Sequence, residues 1–310
     1  MTDTVLPDAR PANWVDRHAP ERLKPWLKLG RFDRPIGIWL LMLPGWQGIA
    51  LAAAEHGRIM DWRAWLPLML AFAVGAALMR AAGCAYNDIV DRDFDAKVAR
   101  TADRPIPSGR ISVKQAWAFV AGCCLLSLLI LLALNPFTIA LGVGSLLLVA
   151  GYPFMKRITW WPQAWLGLTF NWGALMGYAA MTGELTLPAL LLYASGIFWT
   201  LGYDTIYALQ DIEDDALVGV KSTARRLGRA APQGILAFYM LASLLAVSVW
   251  LPARLGPLFF PPFALFAMHL SNQVRRLKLD DPALALKLFK SNRGAGLLLF
   301  AALAAGAFKG

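Results

Sequence analysis

The chain has 310 residues, of which 58% are hydrophobic and 16% are charged, and its formal net charge is +10 at pH 7. This balance excludes an ordinary soluble domain and is typical of a protein with several membrane spans. The Lys and Arg residues lie between long apolar runs rather than across a soluble surface. The positive charge therefore predicts a membrane topology and argues against a nucleic-acid-binding protein.

Nine apolar segments are long enough to cross a hydrocarbon core as helices, which takes roughly 17 to 25 residues each. They cover residues 36–55, 64–86, 114–134, 136–153, 163–182, 187–209, 232–251, 257–274 and 294–309. The sequence thus predicts an all-α protein with nine transmembrane helices. Residues 1–35 have no signal-peptide core and are expected to form a cytoplasmic tail with a surface helix, and residues 36–310 the membrane domain.

The distribution of basic residues supports this topology. Cytoplasmic loops of membrane proteins carry an excess of Lys and Arg. Of the 30 Lys and Arg residues, 25 fall in segments that nine helices place on the side of the N-terminus. We therefore expect an integral membrane protein with its N-terminus in the cytoplasm.

The stretch "NDIVDRDFD", residues 87–95, places four carboxylates directly after the second apolar segment. If the helix continues through it, the spacing i, i+4, i+8 puts three side chains on one face: Asn87, Asp91 and Asp95. Asp88 and Asp93 point away from this face, and we expect substitutions there to be milder. Arg80 lies two turns deeper on the same face, where a buried arginine needs a partner.

A second acidic stretch, "YDTIYALQDIEDD" at residues 203–215, ends the sixth apolar segment. Spacings of three, four and four again give one helical face: Asp204, Tyr207, Asp211 and Asp215. Both stretches follow even-numbered spans, so they emerge on the same cytoplasmic side and can converge.

Two facing carboxylate clusters repel each other unless cations lie between them. Ligand sets made only of oxygen select a hard ion such as Mg²⁺, which often completes its shell with phosphate oxygens. A diphosphate substrate is therefore predicted. Four basic residues of the same-side loops could bind its remaining charge, although the positive-inside rule also explains each of them singly: Arg104, Lys156, Arg157 and Lys221.

The two acidic stretches resemble the aspartate-rich motifs of the UbiA superfamily of intramembrane prenyltransferases. The similarity extends over residues 31 to 229, through "RFDRPIG", "LMRAAGCAYND", "RTADRPIPSGR", "YPFMKR", "PQAWLGLTFNWG" and "GVKSTARRLG". Within the superfamily the pattern is most similar to the branch that prenylates 4-hydroxybenzoate in bacteria. The resemblance implies a nine-helix bundle around a central cavity, capped on the cytoplasmic side and open laterally to lipid.

The resemblance also implies roles for individual residues. The Mg²⁺ ligands would be Asn87, Asp91, Asp95, Asp211 and Asp215, the four aspartates being the catalytic residues. The diphosphate would be bound by Asn87, Arg104, Tyr152, Lys156 and Asp204, with Lys221 from the same-side loop. The carboxylate of an aromatic acid would bind to Arg80 or Arg157.

The implied reaction transfers a polyprenyl group from polyprenyl diphosphate to the carbon ortho to the hydroxyl of 4-hydroxybenzoate, in ubiquinone biosynthesis at the bacterial inner membrane. Bound Mg²⁺ and basic residues would stabilise the leaving diphosphate, and a water-poor cavity would protect the allylic carbocation. One alternative keeps the fold but takes homogentisate, a naphthoate or haem as acceptor. The other alternative is a cation transporter. The position of the acids argues against it, because they cluster at one end of the helices whereas transport sites tend to lie near the middle of the membrane.

Overall fold

The computed structural model describes residues 13–96, 101–212, 219 and 221–309, with the side chains of Phe94 and Asp211 outside this description. Secondary structure within these ranges is helical throughout. This confirms the predicted all-α class.

Two short helices, α1 (Trp14–His18) and α2 (Lys24–Leu29), precede the first apolar segment. Nine helices of 17 residues or more lie in the described part of the chain, together with one short helix, α9. In chain order they are α3 (Ile36–Glu55), α4 (Trp62–Asp95), α5 (Val113–Leu132), α6 (Pro136–Ile158), α7 (Pro162–Thr182), α8 (Leu187–Ala208), α9 (Thr223–Leu227), α10 (Ala231–Ser248), α11 (Phe260–Arg276) and α12 (Pro282–Ala305).

The last helix differs most from the sequence prediction, because α12 begins at Pro282 rather than at residue 294. Its start has two ordinary helix signals: a Pro in the first turn and the side chain of Asp281, which accepts a hydrogen bond from the Leu284 amide at 2.9 Å. Hydropathy missed these residues because Lys287 and Lys290 make the first turns polar.

Five stretches of the described chain are long and apolar enough to cross a membrane: Ile36–Glu55, Trp62–Asp93, Val113–Leu132, Pro136–Ile158 and Thr223–Ser248. Several of them expose large apolar side chains. Helix α5, for example, exposes Leu125, Leu126 and Leu129. A soluble protein rarely exposes such a continuous apolar face, so these surfaces are suited to contact lipid.

The described residues form two compact units. The first is built from the chain up to Ile38 and from Val74–Ile130. Its core lies around the end of α4, where Leu29 of α2 packs with Ala85 and Ile89 of α4 and with Ile111 of the loop that precedes α5. This packing fixes the helical turns that carry the first acidic stretch.

The second unit comprises Trp39–Ala73 and the chain from Leu131 onward. Within it the backbones of α3 and α7 touch, because small residues face each other. A Cβ built on Gly48 would lie 2.1 Å from the carbonyl oxygen of Ala174, and one on Gly177 would lie 2.2 Å from that of Gly45. Close approach through glycines is a common way to pack helices in a membrane.

A buried polar network also links four helices of the second unit. The indole Nε1 of Trp199 (α8) donates to Asn292 Oδ1 (α12) at 2.9 Å, and the hydroxyl of Tyr239 (α10) donates to Gln273 Oε1 (α11) at 2.6 Å. Asn292 Nδ2 joins the two pairs by donating to Gln273 Oε1 at 3.3 Å. Hydrogen bonds of this kind hold helices together in a membrane, where an apolar side chain gains little by contacting another helix instead of lipid.

Candidate active site

The first acidic stretch lies on the last turns of α4, which runs without a break to Asp95. The continuous helix confirms that Asn87, Asp91 and Asp95 share one face. Asn87 Nδ2 donates to Asp91 Oδ2 at 3.0 Å, as the i, i+4 spacing predicts. Both aspartates are buried. The face is thus a row of oxygen-bearing side chains with little access to solvent.

Asp95 forms an ion pair with Arg104, which lies in the loop between α4 and α5. Arg104 Nη1 donates to Asp95 Oδ2 at 2.7 Å, and Thr101 Oγ1 donates to the Asp95 carbonyl oxygen at 2.8 Å. The loop is therefore tied to the end of α4 by a side chain and a backbone contact.

The surroundings of Asp95 disfavour the ionised form of its carboxyl group. Burial is the main cause and raises the pKa of Asp95 above its ordinary value, while Arg104 opposes the shift. The nearby carboxylates of Asp88 and Asp91 raise this pKa further. A group of acids that repel one another in a buried place is suited to a cation, which would relieve the repulsion.

Asp88 is a member of this site that the sequence interpretation left aside. Only 1% of the residue is exposed, and Arg31 Nη2 donates to both of its carboxylate oxygens, at 2.7 and 2.8 Å. Arg104 Nη1 donates to Asp88 Oδ1 at 3.1 Å. Asp88 does point away from the face of Asp91, but it reaches a pair of arginines and not solvent. Asp93 is solvated as expected, with 79% of its side chain exposed.

Arg31 is held rigidly on the other side of Asp88. Its Nη1 donates to the Lys28 carbonyl oxygen at 2.9 Å, and its backbone has φ of +58°, in the left-handed region that non-glycine residues rarely adopt. Burial has the largest single effect on the pKa of Arg31 and lowers it, but the charge and hydrogen bonds of Asp88, together with Cys84 and Asp33, raise this pKa above its ordinary value. The sequence could have pointed to Arg31, because a buried acid such as Asp88 needs a cationic partner. Arg31 is the first residue of the "RFDRPIG" segment.

Arg80, one of two candidates for the aromatic acid, is half-buried on α4. Its guanidinium lies against the backbone of Gly37 at the start of α3. A Cβ built on Gly37 would be 2.5 Å from Nε and 2.9 Å from both Cζ and Nη2 of Arg80. The missing side chain at residue 37 therefore makes the room that the guanidinium occupies.

The predicted residues of α6 lie on its last two turns: Tyr152 and Lys156 are half-buried, and Arg157 is exposed. Lys221 lies beside them, since its amide nitrogen donates to the Lys156 carbonyl oxygen at 2.9 Å and its Nζ to the Ile158 carbonyl oxygen at 3.1 Å. The structure thus brings Lys156 and Lys221 together. It also gives Lys221 a capping role at the end of α6, where helix carbonyls lack intrahelical partners.

The second acidic stretch is described only in part. Asp204 is half-buried on α8, and the ring of Tyr207 packs on Phe289 of α12 with 4.6 Å between ring centroids. The α-helix ends at Ala208, and Leu209–Asp211 form a 3₁₀ turn. The side chain of Asp211 and all of Asp215 lie outside the described residues. Within the described ones, no three His, Cys, Asp or Glu side chains form a group that could hold a metal ion.

The chain is similar to known proteins over most of its length. The sequence model of the UbiA prenyltransferase family matches residues 41–304. The chain is 47% identical over 294 residues to the mitochondrial 4-hydroxybenzoate polyprenyltransferase of Bos taurus, covering 94% of this chain and 78% of that protein. It is 44% identical over 297 residues to the corresponding protein of Arabidopsis thaliana, covering 95% and 72%.

Solved structures share the fold. A UbiA homologue from Aeropyrum pernix K1 superimposes with a TM-score of 0.70 at 25% identity, covering 85% of this chain and 96% of that one. A UbiA homologue from Archaeoglobus fulgidus, bound to GPP and Mg²⁺, gives a TM-score of 0.61 at 19% identity, covering 92% and 100%. Because the family model matches most of the chain and the chain covers more than two thirds of relatives that are 44% or more identical to it, the chain belongs to the UbiA prenyltransferase family.

Proposed function

We propose that this protein transfers a polyprenyl group from polyprenyl diphosphate to the carbon ortho to the hydroxyl of 4-hydroxybenzoate. The product is 3-polyprenyl-4-hydroxybenzoate, an intermediate of ubiquinone biosynthesis. The observation that carries this proposal is the identity of 47% over 94% of the chain to a relative named for the same acceptor. The buried oxygen ligands at the end of α4 supply a physical reason for a diphosphate substrate.

The donor set fits Mg²⁺, which would be held by Asn87, Asp91, Asp95, Asp211 and Asp215. Since Asn87 donates its amide hydrogens toward Asp91, its Oδ1 is left as an acceptor for a hard cation. The carboxylates of Asp91 and Asp95 are buried and repel each other, as ligands of a divalent ion do before it binds. When bound, Mg²⁺ would neutralise negative charge on the diphosphate.

The basic residues of the site would take the rest of the diphosphate charge. Arg104 meets its two carboxylates through Nη1, so Nε and Nη2 lie outside these contacts and can donate to phosphate oxygens. The backbones of Lys156 and Lys221 are hydrogen-bonded at the end of α6, and we propose that both side chains contribute positive charge to the diphosphate site. Tyr152 and Asp204 complete the proposed diphosphate site, the tyrosine as a hydroxyl donor and the aspartate as a supporting member.

Of the two candidates for the aromatic carboxylate, we favour Arg80. Its guanidinium is half-buried and held against Gly37, whereas Arg157 is exposed at the end of α6. A guanidinium that is partly removed from water binds a carboxylate more strongly and in a fixed geometry. Arg80 is also embedded in an apolar helix, where an aromatic ring is favourably accommodated.

The nine long helices, α3 to α8 and α10 to α12, are proposed to span the membrane as a bundle around a central cavity with a cytoplasmic cap. Residues 1–35 would form a cytoplasmic tail. The excess of Lys and Arg on one side of this topology supports the orientation. The relatives named above are mitochondrial, and we propose the cytoplasmic membrane of a bacterium for this chain.

An assay of purified protein in detergent tests the proposal. Geranyl diphosphate or a longer polyprenyl diphosphate is supplied with Mg²⁺ and, in separate reactions, 4-hydroxybenzoate, homogentisate, 1,4-dihydroxy-2-naphthoate or haem. We expect prenylated product with 4-hydroxybenzoate and none when EDTA removes Mg²⁺. Faster turnover of another acceptor would reassign the substrate. Cation flux in proteoliposomes without prenylation of any acceptor would refute the enzyme.

A further inference from the structure

A series of hydrogen bonds and ion pairs connects the short helix α2 to the proposed metal ligands. It runs from the Lys28 carbonyl oxygen through Arg31, Asp88 and Arg104 to Asp95. All of its members belong to the first compact unit. Asp88 is the central member, and the roles proposed above do not include it.

We propose that Asp88 is a positioning residue that holds the guanidinium of Arg104 beside Asp95, so that Arg104 neutralises Asp95 until a divalent cation binds. Arg104 then keeps its contact with Asp88 and turns its remaining donors to the diphosphate. This inference rests on the proposed function, since it assigns a task to Arg104 at the same site.

Arg31 and Arg104, the two arginines that contact Asp88, differ in how firmly they are held. Arg31 is fixed by the bidentate contact with Asp88, by the Lys28 carbonyl and by a left-handed backbone. A residue in that conformation persists only where its surroundings hold it there. Asp88 therefore has one partner that is held by several contacts, and Arg31 helps to set its position.

Arg104 is the member that can exchange partners. A single nitrogen, Nη1, is shared between Asp88 Oδ1 at 3.1 Å and Asp95 Oδ2 at 2.7 Å. If Asp95 binds a cation, Arg104 would lose the shorter contact and keep the longer one with Asp88. Because an isolated guanidinium in a buried place is costly, Asp88 keeps Arg104 at the site during this exchange.

The test uses variants of Arg104 and measures binding without the aromatic acceptor. Mn²⁺ serves as the probe of the metal site by electron paramagnetic resonance, and inorganic diphosphate is titrated in the presence of Mn²⁺. In Arg104→Gln, Mn²⁺ alone should bind more tightly because its competitor at Asp95 is gone. Diphosphate should bind about tenfold more weakly, the effect of one charge-assisted hydrogen bond. A purely structural role would weaken both.

Arg110→Gln is the matched control, because Arg110 lies in the same loop, is exposed and contacts Ser108 and the Asp103 carbonyl instead of the acids of α4. It removes the same charge and should change neither affinity. If Arg104→Gln leaves the affinity for Mn²⁺ unchanged or lowers it, the proposal fails.

Variants of Asp88 test the positioning role directly. Asp88→Asn should weaken diphosphate binding about tenfold, Asp88→Glu should restore most of it, and Asp93→Asn should behave as wild type because Asp93 is exposed. In kinetics the Michaelis constant for polyprenyl diphosphate should rise in Asp88→Asn while that for 4-hydroxybenzoate stays nearly constant. Diphosphate affinity at the wild-type level in folded Asp88→Asn would overturn the assignment.

Should Asp88→Asn fail to fold, Arg104→Gln still tests the competition with the cation at Asp95, and Asp88→Glu still tests the positioning role. The binding measurements contain no acceptor, so they respond even if the enzyme uses another aromatic substrate. Failure of the proposed function would appear separately, as an absence of prenylated product from the wild-type protein.

Discussion

The replacement Gly37→Ala should displace Arg80 and thereby weaken binding of the aromatic acid. The new Cβ would lie 2.5 Å from Nε and 2.9 Å from Nη2 of Arg80. Unstrained contacts between such atoms are about 3.5 Å, so the guanidinium has to retreat by about 1 Å. The three atoms nearest to this Cβ all belong to the far end of the Arg80 side chain, so we expect Arg80 to move and the helices to stay in place.

The size of the effect follows from what Arg80 is proposed to bind. Loss of a hydrogen bond to a charged group costs about 1.5 to 3 kcal/mol, or roughly 10- to 100-fold in affinity. A misplacement of about 1 Å in a binding site has a similar effect on rate. We therefore expect kcat/KM for 4-hydroxybenzoate to fall roughly 10- to 100-fold. The Michaelis constant for polyprenyl diphosphate should change little, because Arg80 is not part of that site.

Initial rates measured while one substrate is varied at a time provide the assay. Gly83→Ala is the control on the same helix as Arg80, since a Cβ there meets nothing within 4 Å. In the background of Arg80→Ala, the change Gly37→Ala should have no further effect, because the two substitutions act through one contact. Full additivity of the two effects, or a larger change for the diphosphate than for the acid, would refute this reasoning.

Two further predictions concern the acids and the helix packing. Asp91→Ala and Asp211→Ala should abolish prenylation with helical content and melting temperature preserved, because each removes a proposed Mg²⁺ ligand; activity near wild type in both would contradict the site. Gly177→Ala should lower stability by about 1 to 3 kcal/mol, the usual cost of overpacking, because its Cβ would lie 2.2 Å from a carbonyl oxygen of α3. Thermal melting in detergent measures this, and Gly122→Ala, which meets nothing within 4 Å, should melt as wild type.

The sequence was most informative where one helix carries the whole signal. Asn87, Asp91 and Asp95 could be placed on a face because their spacing is set within α4. The start of α12 was wrong because hydropathy detects the apolar part of a helix, whereas α12 begins with polar turns capped by Asp281. The helix signals were present, but an apolar window does not register them.

The role of Asp88 could not be predicted from its own helix. Its partners are Arg31, far earlier in the chain, and Arg104, in the following loop. Periodicity states which way a side chain points but not which element lies there, and that depends on tertiary packing. Lys221 is a similar case, since its contact with the end of α6 joins segments that are distant in sequence.

The contact between the backbones of α3 and α7 limits the routes by which a long isoprenoid can reach the interior. Even a Cβ built on Gly48 or Gly177 would lie only 2.1 or 2.2 Å from a carbonyl oxygen of the facing helix, so this contact has no space for a hydrocarbon chain. Separating the two helices would lose their close van der Waals packing, which drives helix association in a membrane. In the proposed bundle, an isoprenoid would therefore enter from the membrane between another pair of helices, and the α3–α7 pair is expected to stay closed throughout the catalytic cycle.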